Sequence, residues 1–367
     1  MIKKVLYIGF QYEFGNERNG HAINYKAWYS NFRDLGYEVE GVFYDGKSPE
    51  QRRKNLLSVA ETFRPDMIFT ILQRDQISRE TLQALRGAGH YLVGFFGDDQ
   101  WRYDAFTRNY VNLFDACITT DRYSIAKYRR DGQTNIVYSQ WGALDSSIEY
   151  EDVAYEYDVS FIGGTSHNRQ WFVNELGKRG LAVKCFGDGW PAGRLTYEEM
   201  ERVFSVSKIN LNISNSINYD ARFLLSSPRG LASTLKAALR DGGKNSSQTK
   251  ARNFEIPAQG GFQLTDYVPT LEEYFEIGRE VACYSGIDDA EKLIRYYLEN
   301  PEEREAIKIR GVERARACHT YKARIRAFMG ELQLFRGDSS GGTVSSLGPL
   351  DSGSAPFASA ARSGTSG

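Results

Sequence analysis

Short runs of β-branched and aromatic residues alternate with longer amphipathic stretches in two successive series along this chain. The first series contains six candidate strands: Val5–Phe10, Val39–Tyr44, Asp66–Leu72, Tyr91–Phe96, Ala116–Thr120 and Ile136–Gln140. The segments Asn24–Leu35 and Glu80–Leu85 between them have helical periodicity, and Gly36 and Gly87 follow where helix C-caps are expected. This pattern predicts parallel βα units.

An acidic, tyrosine-rich stretch at residues 145–157 interrupts the alternation, and the second series follows it. Its five candidate strands are Val159–Ile162, Val183–Phe186, Ile209–Ile213, Phe262–Thr265 and Val281–Tyr284. At 367 residues the chain exceeds the roughly 150 to 200 residues that form one α/β domain, so length also favours two sheets. We expect an α/β fold of two Rossmann-like domains, residues 1–144 and 158–320, facing each other across a cleft and joined by a linker at 145–157.

The C-terminal part is predicted to be helical. Asn300-Pro301-Glu302-Glu303 has the composition of a helix N-terminus, with proline in the first turn followed by acidic residues. A final helix is predicted over residues 321–337, with an apolar stripe of its own. From Asp338 onward the chain contains almost no large apolar residues, so residues 338–367 are predicted to form a disordered tail.

The formal charges nearly cancel, with 46 lysines and arginines against 47 aspartates and glutamates. Because no strong basic field results, binding to nucleic acid or to an anionic membrane surface is not expected, and a small charged ligand is the better candidate. No run of about 18 apolar residues occurs, and the N-terminal apolar run is too short for a signal peptide. We therefore expect no transmembrane segment.

The four cysteines lie far apart in the sequence, at Cys117, Cys185, Cys283 and Cys318. Their spacing fits neither a zinc site nor a disulfide framework. The sequence therefore predicts four buried thiols and a cytoplasmic location.

A glycine-bearing turn follows the first strand of each series. In the second series it reads Phe161-Ile162-Gly163-Gly164-Thr165-Ser166-His167-Asn168-Arg169, before a helix predicted from Gln170. Backbone amides at such a helix start bind anions, and small residues allow a diphosphate to approach closely, so Gly163, Gly164 and Arg169 are candidate donor-binding residues. The alternative is a glycine pair that serves only to turn the chain.

The segment Lys250–Asp266 is the most informative in the sequence. It places Lys250, Arg252 and Glu255 on a short predicted helix that ends at Gly260-Gly261 and leads into a strand. A carboxylate in this place can accept both hydroxyl protons of a ribose, while the cations offset phosphate charge. The alternative is a solvated helix face on which Glu255 pairs with Arg252.

This segment, with Gly311-Val312-Glu313-Arg314 and His319-Thr320-Tyr321, resembles the C-terminal domain of group 1 glycosyltransferases of the CgeB-like spore-maturation type. The resemblance covers about a third of the chain, from Lys208 to Arg326, and extends more loosely over 158–190. It implies a GT-B fold, a nucleoside-diphosphate sugar donor and no required metal. It also implies that Glu255 is the glutamate that holds the donor ribose, and that Gly260 and Gly261 belong to the donor-binding segment.

The chain departs from the pattern of the broader retaining group in two places. That group has a second glutamate eight positions before the first, where this chain has Ser247. Its basic pair for the diphosphate is represented by Arg169, with Lys250 and Arg252 as candidate substitutes. The stereochemical outcome of transfer is therefore left open.

The first series supplies candidates for general base catalysis, because open α/β sheets bind ligands at the carboxyl ends of their strands. His21 lies in the loop after the first strand, and the pair Asp98-Asp99 follows the fourth, beside Trp101. Either site is suited to removing a proton from an acceptor hydroxyl. The alternatives are a solvated or structural histidine and helix capping by an aspartate. Two adjacent carboxylates without a third ligand form a poor metal site, so no metal is expected.

Together these residues predict a glycosyltransferase that moves a sugar from a nucleoside-diphosphate sugar to a saccharide or another hydroxyl acceptor. The nucleotide sugar is a substrate, and no cofactor is expected. Two alternatives stay open, namely a nucleotide-sugar epimerase and a nucleotide-sugar-binding protein without turnover, which Ser247 keeps in view. A redox enzyme is disfavoured because neither first turn has the spacing G-x-G-x-x-G.

Overall fold

The computed structural model of the protein describes residues 1–74, 76–214, 218–239 and 247–337. The predicted tail, residues 338–367, lies outside the described residues. Within them the chain forms two parallel sheets, each covered by helices, and we call these units the first lobe and the second lobe. The predicted α/β fold with two Rossmann-like units is therefore confirmed.

The sheet of the first lobe has six parallel strands in the order β2-β1-β3-β4-β5-β6. Val5 of β1 pairs with Val39 of β2 on one side and with Met67 of β3 on the other. Every residue of β3 and β4 is buried, as expected for central strands covered on both faces. The strands are β1 (Lys4–Gly9), β2 (Glu38–Phe43), β3 (Met67–Ile71), β4 (Leu92–Phe96), β5 (Ala116–Thr119) and β6 (Ile136–Tyr138).

The helices of the first lobe lie between its strands. Their bounds are α1 (Asn31–Asp34), α2 (Pro49–Phe63), α3 (Arg79–Gly87), α4 (Asp99–Arg102) and α5 (Ile125–Arg130), and a π-helical segment, Tyr25–Ser30, precedes α1. Gly36 follows α1 with a φ of 86°, in the left-handed region as predicted. The prediction for Gly87 was wrong by two residues, because Gly87 is the last residue of α3 and Gly89 has the positive φ.

The sheet of the second lobe has five parallel strands in the order β11-β10-β9-β7-β8. They are β7 (Tyr157–Ile162), β8 (Lys184–Phe186), β9 (Ser207–Asn212), β10 (Gln263–Asp266) and β11 (Ala282–Tyr284). The helices that follow along the chain are α6 (His167–Lys178), α7 (Tyr197–Ser205), α8 (Ala221–Ser226), α9 (Pro228–Leu239), α10 (Ala251–Ala258), α11 (Ile287–Glu299), α12 (Pro301–Cys318) and α13 (Tyr321–Gly337).

The terminal helix α13 packs on the first lobe, although the chain reaches it from the second. Its residues Ile325 and Phe328 are buried in one cluster with Trp28 and Phe69 of the first lobe. The rings of Phe69 and Phe328 stack with centroids 6.0 Å apart and planes within 2° of parallel. The first core is therefore completed by residues more than 180 positions beyond the end of its last strand, β6.

The lobes meet where the chain returns to the first lobe. The backbone amide of Ala143 donates to the carbonyl of His319, and the amide of Tyr321 donates back to the carbonyl of Ala143, both at 2.9 Å. Nε2 of His319 lies 2.8 Å from the Tyr274 carbonyl oxygen, and burial lowers the pKa of His319 to about 3. The histidine is therefore neutral at ordinary pH, and Nε2 carries the proton that binds Tyr274.

The cysteines differ in exposure. Cys117 is buried, Cys185 and Cys283 are partly buried, and Cys318 is exposed at the end of α12. All four are free thiols, so the predicted absence of disulfides among them agrees with the structure, whereas the prediction of a buried thiol is wrong for Cys318. None of the helices among the described residues is both long and apolar enough to span a membrane.

Candidate functional site

Both sheets have a topological switch point at their carboxyl edge. In the second lobe it lies between β7 and β9, because β8 follows β7 on one side and β9 lies on the other. Ligands of open α/β sheets bind in the crevice at such a point. The loops that flank it are the glycine turn after β7 and the segment Ile213–Ser214 after β9, which we call the β9 loop.

Arg169 joins these two loops. Its Nε and Nη2 donate to the carbonyl oxygen of Ile213 at 3.0 and 2.9 Å, and its Nη1 donates to the carbonyl oxygen of Gly164 at 2.8 Å. The residue is in the first turn of α6, which begins at His167, three positions before the predicted start. A single guanidinium therefore fixes the spacing of the switch point.

The charge of Arg169 is not matched by an ion-pair partner. Among the described residues no carboxylate lies within 4 Å of its guanidinium. Burial lowers the pKa of Arg169, and the more distant carboxylate of Asp266 acts in the opposite direction. Carbonyl oxygens solvate the cation without neutralising it, so the switch point keeps a positive potential suited to an anion.

The glycine turn is tied to the next loop of the lobe. The amides of Gly163 and Thr165 donate to the carbonyls of Phe186 and Asp188, at 2.9 and 2.8 Å. A Cβ on Gly163 would lie 2.9 Å from the ring of Phe161, so the turn requires glycine for packing. These two amides are therefore occupied by backbone carbonyls, and the positive potential of the site comes from Arg169 and the amino end of α6.

Two further charged side chains bind the β9 loop. Lys250, which is the N-cap residue of α10, donates from Nζ to the carbonyl of Ser214 at 3.2 Å. Asp266, at the end of β10, accepts from the amide and the hydroxyl of Ser214 at 2.9 and 2.6 Å. Asp266 and Ile213 also line an open crevice of about 410 Å³ at the carboxyl ends of β9, β10 and β11. Arg169, Lys250 and Asp266 thus converge on one loop.

Glu255 and Arg252 form an ion pair in the middle of α10. Nη1 of Arg252 lies 2.9 Å from Oε2 of Glu255, which is the pairing considered as an alternative from the sequence. The face is not solvated, because Glu255 is only 5 % exposed. Burial is the main reason that the pKa values of Tyr197 and Tyr321 are raised, and the charge of Glu255 raises them further. Glu255 therefore lies in the layer between the lobes, close to the start of the terminal helix.

The structure does not bring Gly260 and Gly261 to the carboxyl edge. They follow the C-terminal end of α10, at the amino end of β10. Gly260 has a φ of 83°, and a Cβ on Gly261 would lie 2.6 Å from Nδ2 of Asn210. Here glycine serves the turn and the close approach of backbone to side chain.

Asp98 faces the second lobe. It follows β4 at the carboxyl edge of the first sheet, and its Oδ1 accepts from Nε2 of Gln248 at 2.7 Å. Gln248 is buried and adjoins Ser247, the residue that replaces the family's second glutamate. Sequence reasoning missed Gln248, since a single glutamine in a segment without periodicity carries no signal of its own.

Asp99 is turned into the first lobe and is only 1 % exposed. Its Oδ1 accepts from the hydroxyl of Thr107 at 2.7 Å, and its Oδ2 accepts from the hydroxyls of Thr119 and Tyr128 at 2.6 and 2.7 Å. Burial raises the pKa of Asp99 to about 6, although the three hydroxyl groups lower it in part. The pair predicted from the sequence is thus divided, with one carboxylate at the cleft and one in the core.

His21 is exposed and stacks between two tyrosines. Its ring centroid lies 5.4 Å from that of Tyr12 and 4.7 Å from that of Tyr25, with 11° between the planes in both cases. The same loop reaches the second lobe, where Arg194 lies 3.7 Å from Glu13. The loop of His21 therefore borders the cleft, as the sequence predicted.

The described residues contain no group of three or more histidine, cysteine, aspartate or glutamate side chains that could hold a metal ion. The chemistry that the described arrangement can support is therefore anion binding by cations and proton transfer by a carboxylate such as Asp98.

Residues 169–330 match a family model described as glycosyl transferase-like, so the second lobe contains a domain of that type. The matched segment begins at Arg169 and ends within α13. No curated protein matches the chain significantly in sequence.

Three solved structures are similar to the chain. Sucrose-phosphate synthase from Thermosynechococcus elongatus is 11 % identical, with a TM-score of 0.57 over 91 % of this chain and 100 % of that one. Anabaena Alr3699/HepE in complex with UDP-glucose is 10 % identical, with a TM-score of 0.54 over 92 % and 99 %. A glycosyltransferase from Rickettsia africae is 9 % identical, with a TM-score of 0.60 over 93 % and 100 %. The similarity establishes a GT-B fold.

Proposed function

We propose that the protein is a glycosyltransferase that moves a sugar from a nucleoside-diphosphate donor to a hydroxyl acceptor. The match of residues 169–330 to a glycosyl transferase-like family supports this reaction. The GT-B fold supports it as well, because a structure with the same fold contains UDP-glucose. Fold alone does not fix a reaction, so the proposal depends on the site.

The observation that carries the proposal is the position of Arg169. Its guanidinium spans the two loops of the switch point and has no carboxylate partner among the described residues. Lys250 approaches the same β9 loop from the amino end of α10. When the bond between sugar and diphosphate breaks, negative charge develops on the departing phosphate, and preorganised cations at that place lower the barrier.

The other candidate residues have separate roles in this proposal. Glu255 binds the donor ribose, for which a carboxylate is a suitable acceptor of two hydroxyl protons. Asp98 removes the proton of the acceptor hydroxyl if the transfer inverts, and His21 is the second candidate for that role. Closure of the lobes excludes water, which would otherwise hydrolyse the donor.

We also propose that the enzyme is of the CgeB-like type and acts in the cytoplasm. The resemblance of Lys250–Asp266 supports the subtype, and four free cysteines are in keeping with a reducing compartment.

The reaction is tested by incubating the full chain with nucleoside-diphosphate sugars, with and without a panel of saccharide acceptors. We expect nucleoside diphosphate to be released in an acceptor-dependent way, together with a glycosylated acceptor. An epimerised donor in the absence of acceptor would identify an epimerase instead. Binding of the nucleotide without release under any condition would identify a binding protein.

A further inference from the structure

A groove on the first lobe is lined by three arginines and two aromatic rings. Arg74, Arg79 and Arg102 border a cavity of about 510 Å³ together with Phe106 and Tyr110, and we call it the arginine groove. The three arginines come from the loop after β3, from the start of α3 and from the end of α4. The groove therefore lies at the carboxyl edge of the first sheet, where an acceptor is expected.

The arginines of the groove lack the counter-ions that their neighbours have. In the same lobe Arg86 lies 3.1 Å from Asp115, and Arg108 lies 3.3 Å from Asp131. Among the described residues no carboxylate lies within 4 Å of the guanidinium of Arg74, Arg79 or Arg102. Three unmatched cations repel one another, and this cost is retained in a chain whose total charge is close to zero.

The side chains are held so that the groove is preformed. Arg79 donates to the carbonyl of Asn109, and its guanidinium lies 6.0 Å above the ring of Tyr110. Arg102 donates to the carbonyl of Gln73, and its guanidinium lies 4.3 Å above the ring of Phe106. A guanidinium that stacks on a ring has limited motion and keeps edge N–H groups for a planar oxygen anion.

Arg102 connects the groove to the cleft. It lines a small pocket that also contains Asp98, which in turn contacts Gln248 of the second lobe. Burial lowers the pKa of Arg102, and the charge of Arg74 acts in the same direction. An anion in the groove would relieve this repulsion, and the rest of the same molecule would extend towards Asp98.

We propose, on the basis of the function proposed above, that the acceptor is anionic and that the arginine groove binds its phosphate or carboxylate group. Guanidinium groups form paired hydrogen bonds with both kinds of anion. The groove thereby orients the acceptor, so that a neutral hydroxyl of the molecule reaches Asp98. It selects acidic saccharides or sugar phosphates over neutral sugars.

The proposal is tested by ligand-observed NMR titration of the full chain with glucose 6-phosphate, glucuronate and glucose at low ionic strength. We expect at least one anionic sugar to bind about tenfold more tightly than glucose, because hydrogen bonds to charged groups contribute more than neutral ones. A preference for glucose 6-phosphate alone would identify a phosphate, and a preference for glucuronate alone would identify a carboxylate. Added salt should weaken the preference.

The double variant Arg74→Gln and Arg79→Gln should remove most of this preference, while the control Arg129→Gln, at an exposed position of α5 in the same lobe, should retain it. Affinity for nucleoside diphosphate should be unchanged in both variants, which separates the groove from the donor site. Equal binding of the three sugars would overturn the proposal. So would no measurable binding of either anion, or an anion preference that survives in the double variant.

Discussion

Gln248 of the second lobe donates from Nε2 to Oδ1 of Asp98 in the first lobe, at 2.7 Å. This hydrogen bond crosses the cleft and places Asp98 where the lobes meet. It also distinguishes Asp98 from Asp99, whose carboxylate has three partners inside the first lobe. The two adjacent aspartates therefore allow separate predictions, one for activity and one for stability.

Asp98→Asn is predicted to lower kcat by about a hundredfold or more, which is the usual contribution of a general base. Asparagine keeps the size and the contact with Gln248 but cannot take a proton. The affinity for nucleoside diphosphate should stay within twofold or so of the wild type, since the change is on the acceptor side. Asp104→Asn, at an exposed residue of the same lobe that pairs with Lys127, is the control. Full activity in Asp98→Asn would exclude the carboxylate as the base.

Asp99 should make stability depend on pH. Its pKa is raised from 3.8 to about 6 in the folded state, so the folded protein holds this proton more tightly than the unfolded chain does. The resulting stabilisation is fully present below about pH 4 and is lost as the pH rises through about 6, with a magnitude of about 3 kcal/mol. Urea unfolding of wild type and Asp99→Asn from pH 4 to 7 measures it as a difference in slope. Parallel curves for the two proteins would contradict the prediction.

The sequence predicted the sheets well because each strand is a local pattern. The run Val159–Ile162 and the runs at the other ten strand positions contain β-branched and aromatic residues between turn signals, and all were confirmed within a few residues. Single residues were harder to assign. The partners of Asp99 lie 8 to 29 positions away, so its burial is set by tertiary packing and not by the adjacent sequence.

Long-range contacts also explain what was missed at the second switch point. The sequence indicated that Arg169 could face a diphosphate, but its binding to Ile213 depends on a residue 44 positions away. The arginine groove brings Arg74, Arg79 and Arg102 together from three elements, and no motif joins them. Cys318 was wrongly predicted to be buried because the packing face of α12 cannot be read at its last residue.

Phe328→Ala is predicted to destabilise the first lobe, although the residue lies near the end of the chain. The ring is buried against Phe69 and Trp28, and its loss should cost about 3 to 5 kcal/mol. Hydrogen exchange should then show faster exchange in β3 and β4. The matched control is Ile294→Ala, which removes a buried side chain from the core of the second lobe and should increase exchange there. Faster exchange confined to the second lobe in Phe328→Ala would contradict this assignment.

Glu255→Gln is predicted to weaken the binding of a nucleoside diphosphate by about tenfold, because the charged acceptor of the ribose hydroxyls is lost. The loss should be equal for the nucleoside and for its diphosphate, since the contact is to the ribose. Glu302→Gln, at an exposed residue in the first turn of α12, serves as the control and should leave affinity unchanged. Unchanged affinity in Glu255→Gln would mean that the carboxylate serves only its ion pair with Arg252.

The central claim is that the switch point between β7 and β9 binds the diphosphate of the donor through Arg169. Calorimetric titration of the wild type with UDP and other nucleoside diphosphates, followed by Arg169→Gln and Arg169→Lys with the tightest ligand, tests it most directly. We predict saturable binding that weakens by about tenfold to a hundredfold in Arg169→Gln and less in Arg169→Lys, while the affinity for the corresponding nucleoside stays constant. Equal affinities in the wild type and Arg169→Gln, or no binding of any nucleoside diphosphate to the wild type, would contradict it.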